Sequence, residues 1–317
     1  MRFFHRGSHA DREREATESQ VQQERDRASL ASIELGGLPL RAQERLAKRD
    51  DGPAPLWGST LSIPGFLSTK VLSFEPVGQV LGASIYHIAY NVLSGGQWGD
   101  GEVTVYAQAL YEARERALGR MRQEAVLLGA HGVIGVKLEQ KAYEWGGNLL
   151  DFIATGTAVR LSGAPPLARP FLSDLSGQEA LVLLRAGYVP VDVAVGCGVY
   201  YIATTWDDEM MLHGWQTWGG WSNVEMSHFT AGIYQARRSA VAAMEMHAGG
   251  QGAEGVVGSN VTLRTHAVSV SRIRPWDGER VEMEDHVFEF TAIGTAVAAI
   301  GHGHEPPEAR LIVDLGR

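Results

Sequence analysis

The chain has 317 residues, 44% of them hydrophobic, a single cysteine and a formal net charge of −9. That length exceeds one ordinary domain and suits two of about 100–130 residues. Residues 1–60 hold ten basic and ten acidic side chains, and residues 61–317 hold 18 and 27; an acidic body of this kind lacks the basic footprint that general nucleic-acid binding needs. Cys197 has no cysteine to pair with inside the chain, which excludes an intramolecular disulfide. No apolar run reaches the roughly 18–20 residues of a membrane span. The start, MRFFHRGSHADRERE, has no signal-peptide core, so a cytoplasmic protein without a membrane partner is expected.

Residues 10–32 form a helix candidate dense in Arg, Glu, Gln and Asp. Their apolar positions are too sparse for a coiled-coil seam, which leaves two readings: a solvated arm, or a helix that docks on a partner or a neighbouring subunit. GGLPL at 36–40 breaks the chain, Leu40–Lys48 suits a second short helix, and DDGPAP at 50–55 is a linker. Residues 1–60 are thus an N-terminal helical arm and linker.

A first domain is expected over 61–161. Val71–Leu81 is mainly extended, with Pro76 marking an edge or bulge. Gly82–Leu93 is a short apolar segment, a helical turn or a strand, and GGQWGDG at 95–101 is a loop. From Tyr106, apolar residues recur at Leu110, Ala113, Ala117, Met121, Ala125 and Leu128, the rhythm of a helix with one buried stripe. The stripe is rich in alanine, so the helix can lie close to a sheet. Gly129 and Gly132 bracket its stop, one of them in a left-handed conformation. Val133–Leu138 is a strand, a turn follows around Trp145–Gly147, and Leu149–Leu161 closes a β-α-β-β unit.

SGAPPLARP at 162–170 is a second linker, and a second domain is expected over 171–300. A helical turn fits Leu172–Leu184, one or two strands fit Tyr188–Tyr201, and a helix fits Ser227–Ala248. Val256–Ser271 and Val287–Ile300 are strands around an RPWDGER turn at 274–280, and residues 301–317 are a tail.

These two segments repeat one another. Tyr111-Glu-Ala113-Arg114 returns as Tyr234-Gln-Ala236-Arg237, and GAHGVIG at 129–135 as GAEGVVG at 252–258, both at an offset of 123. Gly156-Thr157-Ala158-Val159 returns as Gly294-Thr295-Ala296-Val297 at an offset of 138, so the second copy has 15 extra residues between its later strands. Phe-Leu-Ser also recurs, at 66–68 and 171–173. Several matches in one order indicate a duplication.

The pattern resembles the YbjQ-like family, also named for heavy-metal binding. The resemblance is carried by Gly95, Gly96, Tyr106, Leu110, Ala113, Arg114, Ala117, Gly129, Ala130, Val133, Ile134, Gly135 and the Gly156–Val159 strand. In the second copy it is carried by Gly219, Gly220, Ala236, Arg237, Ala240, Gly252, Ala253, Val256, Val257, Gly258 and Gly294–Val297. It implies an α+β, dodecin-like unit in which an antiparallel sheet packs against one long helix. It also implies ring assembly, since family members form pentamers of single domains; two fused domains would make a ring of double-domain subunits or two stacked rings. The family's Arg-Asp pairs before the glycine loop are absent here, and its usual Asn or Asp after Gly-Ala is His131 in one copy and Glu254 in the other.

Several residues are candidates for chemistry. Structural or soft-metal sites need clustered Cys and His; the chain has no CxxC or HExxH. His213 and His228, with Asp207, Asp208 and Glu209 nearby, are either a metal site completed between subunits or ordinary polar loop residues. His302, His304 and Glu305 are a chelating set only if the tail is ordered. His131 suits a helix-end cap or a subunit contact. Arg114 and Arg237 are either solvated or ion-paired arginines, or structural arginines that pair across a subunit interface. Cys197, within VAVGCGVYY, reads as a buried core thiol. Trp206, Trp215, Trp218 and Trp221, with Met210 and Met211, read as packing between domains or subunits, as local core, or as a ligand surface. Asp207, Asp208, Glu282, Glu284 and Asp285 are carboxylates that sequence alone does not bring together. GxGxxG, GxxxxGK[ST] and GxSxG are missing.

The expectation is a non-enzymatic, ring-forming scaffold or binding protein, a homo-oligomer with no assigned catalytic, cofactor-binding or metal residue. Its protein contacts would be the N-terminal arm or the Trp206–Trp221 loop. The alternative is a metal- or small-ligand-binding protein with sites formed between subunits.

Overall fold

The computed structural model describes residues 9–47, 57–87, 99–142, 149–213 and 225–300. The N-terminal arm contains α1 (His9–Glu34) and α2 (Leu40–Ala47). The first half then runs α3 (Ile63–Val71), β1 (Phe74–His87), β2 (Gly101–Glu102), α4 (Thr104–Leu127), β3 (Gly132–Ala142) and β4 (Leu149–Leu161). The second half runs β5 (Phe171–Leu172), α5 (Gly177–Arg185), β6 (Tyr188–Ile202), α6 (Trp206–His213), α7 (Ser227–Gly250), β7 (Gly255–Ile273) and β8 (Arg280–Ala299).

The architecture is α+β, with two four-stranded sheets ordered β1-β4-β3-β5 and β2-β6-β8-β7. The long strands pair antiparallel, β5 lies parallel to β3, and β2 lies antiparallel to β6. The two sheets are laced together: β5 starts the second half yet completes the first sheet, and β2 precedes α4 yet edges the second.

Each long helix lies on its own sheet because small residues meet there. A Cβ on Gly82 would fall 1.9 Å from the carbonyl oxygen of Ala117, and one on Gly196 would fall 2.0 Å from that of Ala240. The alanines and the glycines therefore bring helix backbone against strand backbone, as the alanine stripe predicts. The helix stop is settled at Gly129, whose φ is +61°. Strands β3 and β7 each carry a register shift beside a glycine of positive φ, Gly135 and Gly258. Strands β1 and β6 shift in turn after Pro76 and Pro190.

The Phe-Leu-Ser match does not mark equivalent positions. Phe66–Ser68 lies inside α3, which Ser62 caps and Pro64 starts, whereas Phe171 is held as a strand by its N–H bond to the His131 carbonyl. The true counterparts are Ser59-Thr60-Leu61-Ser62 and Ser173-Asp174-Leu175-Ser176, 114 residues apart. Thr60 N–H donates to Thr157 Oγ1 at 2.9 Å and Asp174 N–H donates to Thr295 Oγ1 at 3.1 Å. Leu61 and Leu175 N–H donate back to the Ser59 and Ser173 hydroxyls, and Ser62 and Ser176 cap α3 and α5. The threonine of each Gly-Thr-Ala-Val strand thus anchors the turn that opens its own half.

The segment Gly82–Leu93 is a strand as far as His87; residues 88–93 lie outside the described residues, as do Gly95, Gly96, Trp98, the Trp145 turn and residues 301–317. One apolar core spans both halves: α4 packs on Val80, Phe152 and Ala154 of its own sheet and on Val193, Val195 and Val199 of β6. A second core joins Ala236, Ala240 and Met244 of α7 to Ala292 and Ala296 of β8. Among the described residues no helix is long and apolar enough to cross a membrane.

Candidate functional site

The face of α4 that turns away from its own sheet meets the second half, and Arg114 is the centre of that contact. Its side chain is 2% exposed. Nη2 donates to Gln140 Oε1 at 2.6 Å, to Thr291 Oγ1 at 2.7 Å and to Glu289 Oε1 at 3.4 Å; Nη1 donates to Cys197 Sγ at 2.8 Å. The guanidinium also sits 4.9 Å from the Phe152 ring centre. Burial acts to raise the Glu289 pKa, but the His266 hydrogen bond and the Arg114 charge outweigh it and hold the carboxyl below its ordinary range. Burial pushes the Cys197 thiol up to about 11, against the pull of Arg114, so the group is a neutral thiol near pH 7. Cys197 is a core thiol, as read from its flanks, and Arg114 is ion-paired within the chain, where its two halves meet.

Around this centre lie further pairs between the halves. Arg122 and Arg169 both pair with Asp192, at 2.5 and 3.0 Å. The Tyr111 ring meets His247 edge-on at 5.4 Å, Glu115 lies 3.9 Å from His247, and Ser239 bonds Glu102. Burial raises the Glu115 pKa, and His247 opposes it. Between α4 and α7 is a cavity of about 490 Å³ lined by Tyr111, Cys197, Val199, Ala243, Met246 and His247 among others.

The other predicted residues separate. His228 lies between Asp100 Oδ2, 2.6 Å from Nε2, and Asp208 Oδ2, 3.0 Å from Nδ1. Burial lowers its pKa, but the two carboxylates outweigh that and raise it above the ordinary value of 6.5. Asp208 is also the first-turn anchor of α6, accepting from the Thr205 N–H and hydroxyl at 2.9 and 2.7 Å. Asp285 stands apart from the exposed Glu282 and Glu284; it is buried and accepts from Thr204 N–H, Tyr201 and Arg272. His131 is buried, accepts from Leu161 N–H at Nδ1 and meets the Pro165 carbonyl at 2.7 Å through Nε2, so it ties down the connection between the halves. Trp206 packs edge-on against Trp276 at 5.5 Å within the second half. Trp215, Trp218, Trp221, His302, His304, Glu305 and the side chain of His213 lie outside the described residues.

Residues 77–162 match the model of a family described as "Putative heavy-metal-binding". The encapsulin nanocompartment protein Rv1762c of Mycobacterium tuberculosis is 35% identical over 267 residues, which cover 83% of this chain and 92% of that protein. A UPF0145 protein of Methanoregula boonei is 33% identical over 113 residues, 35% of this chain and 90% of its own length. The UPF0145 protein TTHA1944 of Thermus thermophilus is 37% identical over 110 residues, 33% of this chain and 90% of its own length. The chain belongs to the UPF0145 family. None of these names is that of an enzyme.

Among the described residues, the donor set of this UPF0145 chain does not fit a heavy metal. Soft metals take thiolates and free imidazole nitrogens. The one thiol is buried, neutral and held by a guanidinium, and both nitrogens of His228 face carboxylates within hydrogen-bond distance. Among the described residues no group of three or more His, Cys, Asp or Glu is placed to hold a metal ion. Sequence reasoning missed the partners of Arg114, which are Gln140, Glu289 and Thr291, and the Ser59–Thr157 and Ser173–Thr295 turns; the signal of the turns is the S-x-L-S recurrence at an offset of 114.

Proposed function

We propose that this UPF0145 chain is a cytoplasmic, non-enzymatic scaffold or binding subunit made of two tandem domains, 61–161 and 171–300, that joins copies of itself into a ring. The contact between its halves supports this because it is head-to-tail: α4 of one unit meets α7 and β6 of the next. Contacts of that kind repeat into rings when the rotation closes. One observation carries the reading. The α4 face covered by the second half, Tyr111, Arg114, Glu115, Leu118 and Arg122, recurs on α7 as Tyr234, Arg237, Arg238, Val241 and Glu245. There Tyr234 is 64% exposed, and Arg237 and Arg238 are exposed without a partner among the described residues. A second copy supplies what α7 lacks.

Light scattering and native mass spectrometry test this. The expected result is a discrete multiple of 34.4 kDa, reduced to the monomer by Arg237→Glu; a monomer at every concentration would overturn it. The encapsulin nanocompartment relative gives the setting: we place the ring with such a compartment, and its sedimentation apart from compartments in cell extracts would count against that placement.

The cavity between α4 and α7 favours a second reading, a small-ligand-binding protein whose sites form between units. Native mass spectra that retain an organic mass, lost on Met246→Trp, would support it.

A further inference from the structure

The N-terminal arm lies on a surface that has a counterpart in the second half. Arg45 Nη2 of α2 pairs with Glu124 Oε1 at 2.8 Å. Arg120 donates to the carbonyls of Ile33 and Gly37 at 2.9 and 3.1 Å, and Gln123 to that of Gly36 at 3.1 Å. Leu46 is 3% exposed and joins the core around α4. A cavity of about 480 Å³ lies beneath the arm, between Leu38 and Ala42 on one side and Ser84, Arg116, Arg120 and Glu124 on the other.

Strand register fixes the counterparts: Ala83 lies opposite Ile153 as Cys197 lies opposite Thr291, and Ile85 opposite Asp151 as Val199 opposite Glu289. Arg116, Arg120 and Glu124 correspond to Ser239, Ala243 and His247 on α7, and Ala83–Ile85 to Cys197–Val199 on β6. Those second-half residues line the cavity against which α4 packs. The arm therefore sits on the first half where α4 sits on the second.

We propose that the arm is a built-in substitute for helix α7 of a second copy, and that it covers the surface by which copies join until that helix displaces it. The proposal rests on the ring reading above. Charge identifies the occupant. Carrying three of the internal contacts to their counterparts turns Arg114–Glu289 into Arg237 against Asp151 of a second copy, and Glu115–His247 into Arg238 against Glu124, while Arg122–Asp192 becomes Glu245 against Gly78 and gives no pair. It likewise turns Glu102–Ser239 into Glu225 against Arg116. All three pairs are opposite in sign, and Arg237, Arg238 and Asp151 have no side-chain partner among the described residues. Arg45 already holds Glu124, so the arm presents to this surface the cation that Arg238 would bring. Exchange replaces one arginine–carboxylate pair by another and adds two. The arm is also poorly anchored: residues 17–34 of α1 are largely exposed, and its buried apolar side chains are Leu38 and Leu46.

The test compares the full chain, the release variant Arg45→Glu/Leu46→Asp, and that variant with Arg238→Glu added, by native mass spectrometry over a range of concentrations. Release is expected to lower the concentration of half-assembly about tenfold or more, and Arg238→Glu to reverse this. Limited trypsin digestion of wild-type fractions gives an independent readout should the release variant fail to fold. Cuts within α2, after Arg41 and Arg45, are expected to be faster in the assembled fraction than in the monomer. Assembly at the same concentration with and without release, or an arm equally protected in both fractions, would overturn the proposal and leave the ring reading standing. No assembly by any of the three chains would remove the ring reading itself, and the proposal with it.

Discussion

Helices α4 and α7 carry the same seam. Ala113, Ala117, Met121 and Ala125 are buried in one, and Ala236, Ala240, Met244 and Ala248 in the other. Their outer faces share Tyr111/Tyr234 and Arg114/Arg237 but differ in charge at Glu115/Arg238 and Arg122/Glu245, and they differ in surroundings. Arg114 is sealed against Glu289, Thr291 and Cys197, while Arg237, at the same place in the repeat, is exposed. The covalent link delivers a second unit onto α4 and delivers none onto α7. A side chain's place in a tandem chain, rather than its type, here decides whether it becomes a core ion pair or an open docking contact.

Removing the two arginines separately is the sharpest way to break this comparison. Arg114→Ala leaves Glu289 buried with half its charge partners gone, and a loss of about 3–5 kcal/mol is expected in urea unfolding. Arg237→Ala in the monomer should stay within about 0.5 kcal/mol. Equal losses would show that the two faces are not in different environments. The seam itself should behave alike in both halves: Gly82→Ala and Gly196→Ala each drive a Cβ into helix backbone, with an expected cost of about 3 kcal/mol apiece. A tolerated alanine at either would mean that helix and strand stand further apart there.

Smaller effects are expected at the turn anchors. Thr157→Val and Thr295→Val each take the partner from a part-buried N–H, at Thr60 and Asp174, and should cost about 1 kcal/mol by the same measurement. The smallest concerns His228. Its pKa is raised in the folded chain, so its contribution is complete below pH 6.5 and is lost as pH rises through the folded value. Asp208 is depressed below its ordinary 3.8, so its contribution is present above that pH and is lost as pH falls through the folded value. The pair therefore contributes most between the two ordinary values. His228→Gln should flatten the alkaline side of the melting-temperature profile by about 2–3 °C; an unchanged profile would show that the Asp100–His228–Asp208 contact contributes nothing to stability.

Much of the fold was legible in the residues. Apolar spacing placed α4 and α7, the glycine stop placed the end of α4, and the Gly-Thr-Ala-Val matches placed β4 and β8; α7 runs through Gly249 and Gly250, past the end at Ala248 that these glycines suggest, and stops at the counterpart of the α4 end. The same spacing left Gly82–Leu93 open between a helical turn and a strand, and as far as His87 the strand is what forms, its Gly82 lying beneath α4. A three-residue Phe-Leu-Ser match misled: Ser62 and Pro64 start a helix around one copy, and the edge of β3 captures the other. The candidate site was less legible. Arg114 and Cys197 were singled out, but their partners were not, since Glu289 lies 175 residues from Arg114.

The amino-acid order by itself determined the period of each element and the alanine and glycine positions that let helix touch sheet, because these rest on neighbours a few residues apart, and it carries the repeat as short matching strings at fixed offsets. Only the tertiary structure decided that β2 and β5 cross between sheets, that one arginine of a repeated pair is buried and the other open, and that α2 rests on Glu124. Those outcomes depend on which surfaces meet across chain distances from about 40 to 175 residues, where burial and charge pairing act through space and leave no local periodicity to read.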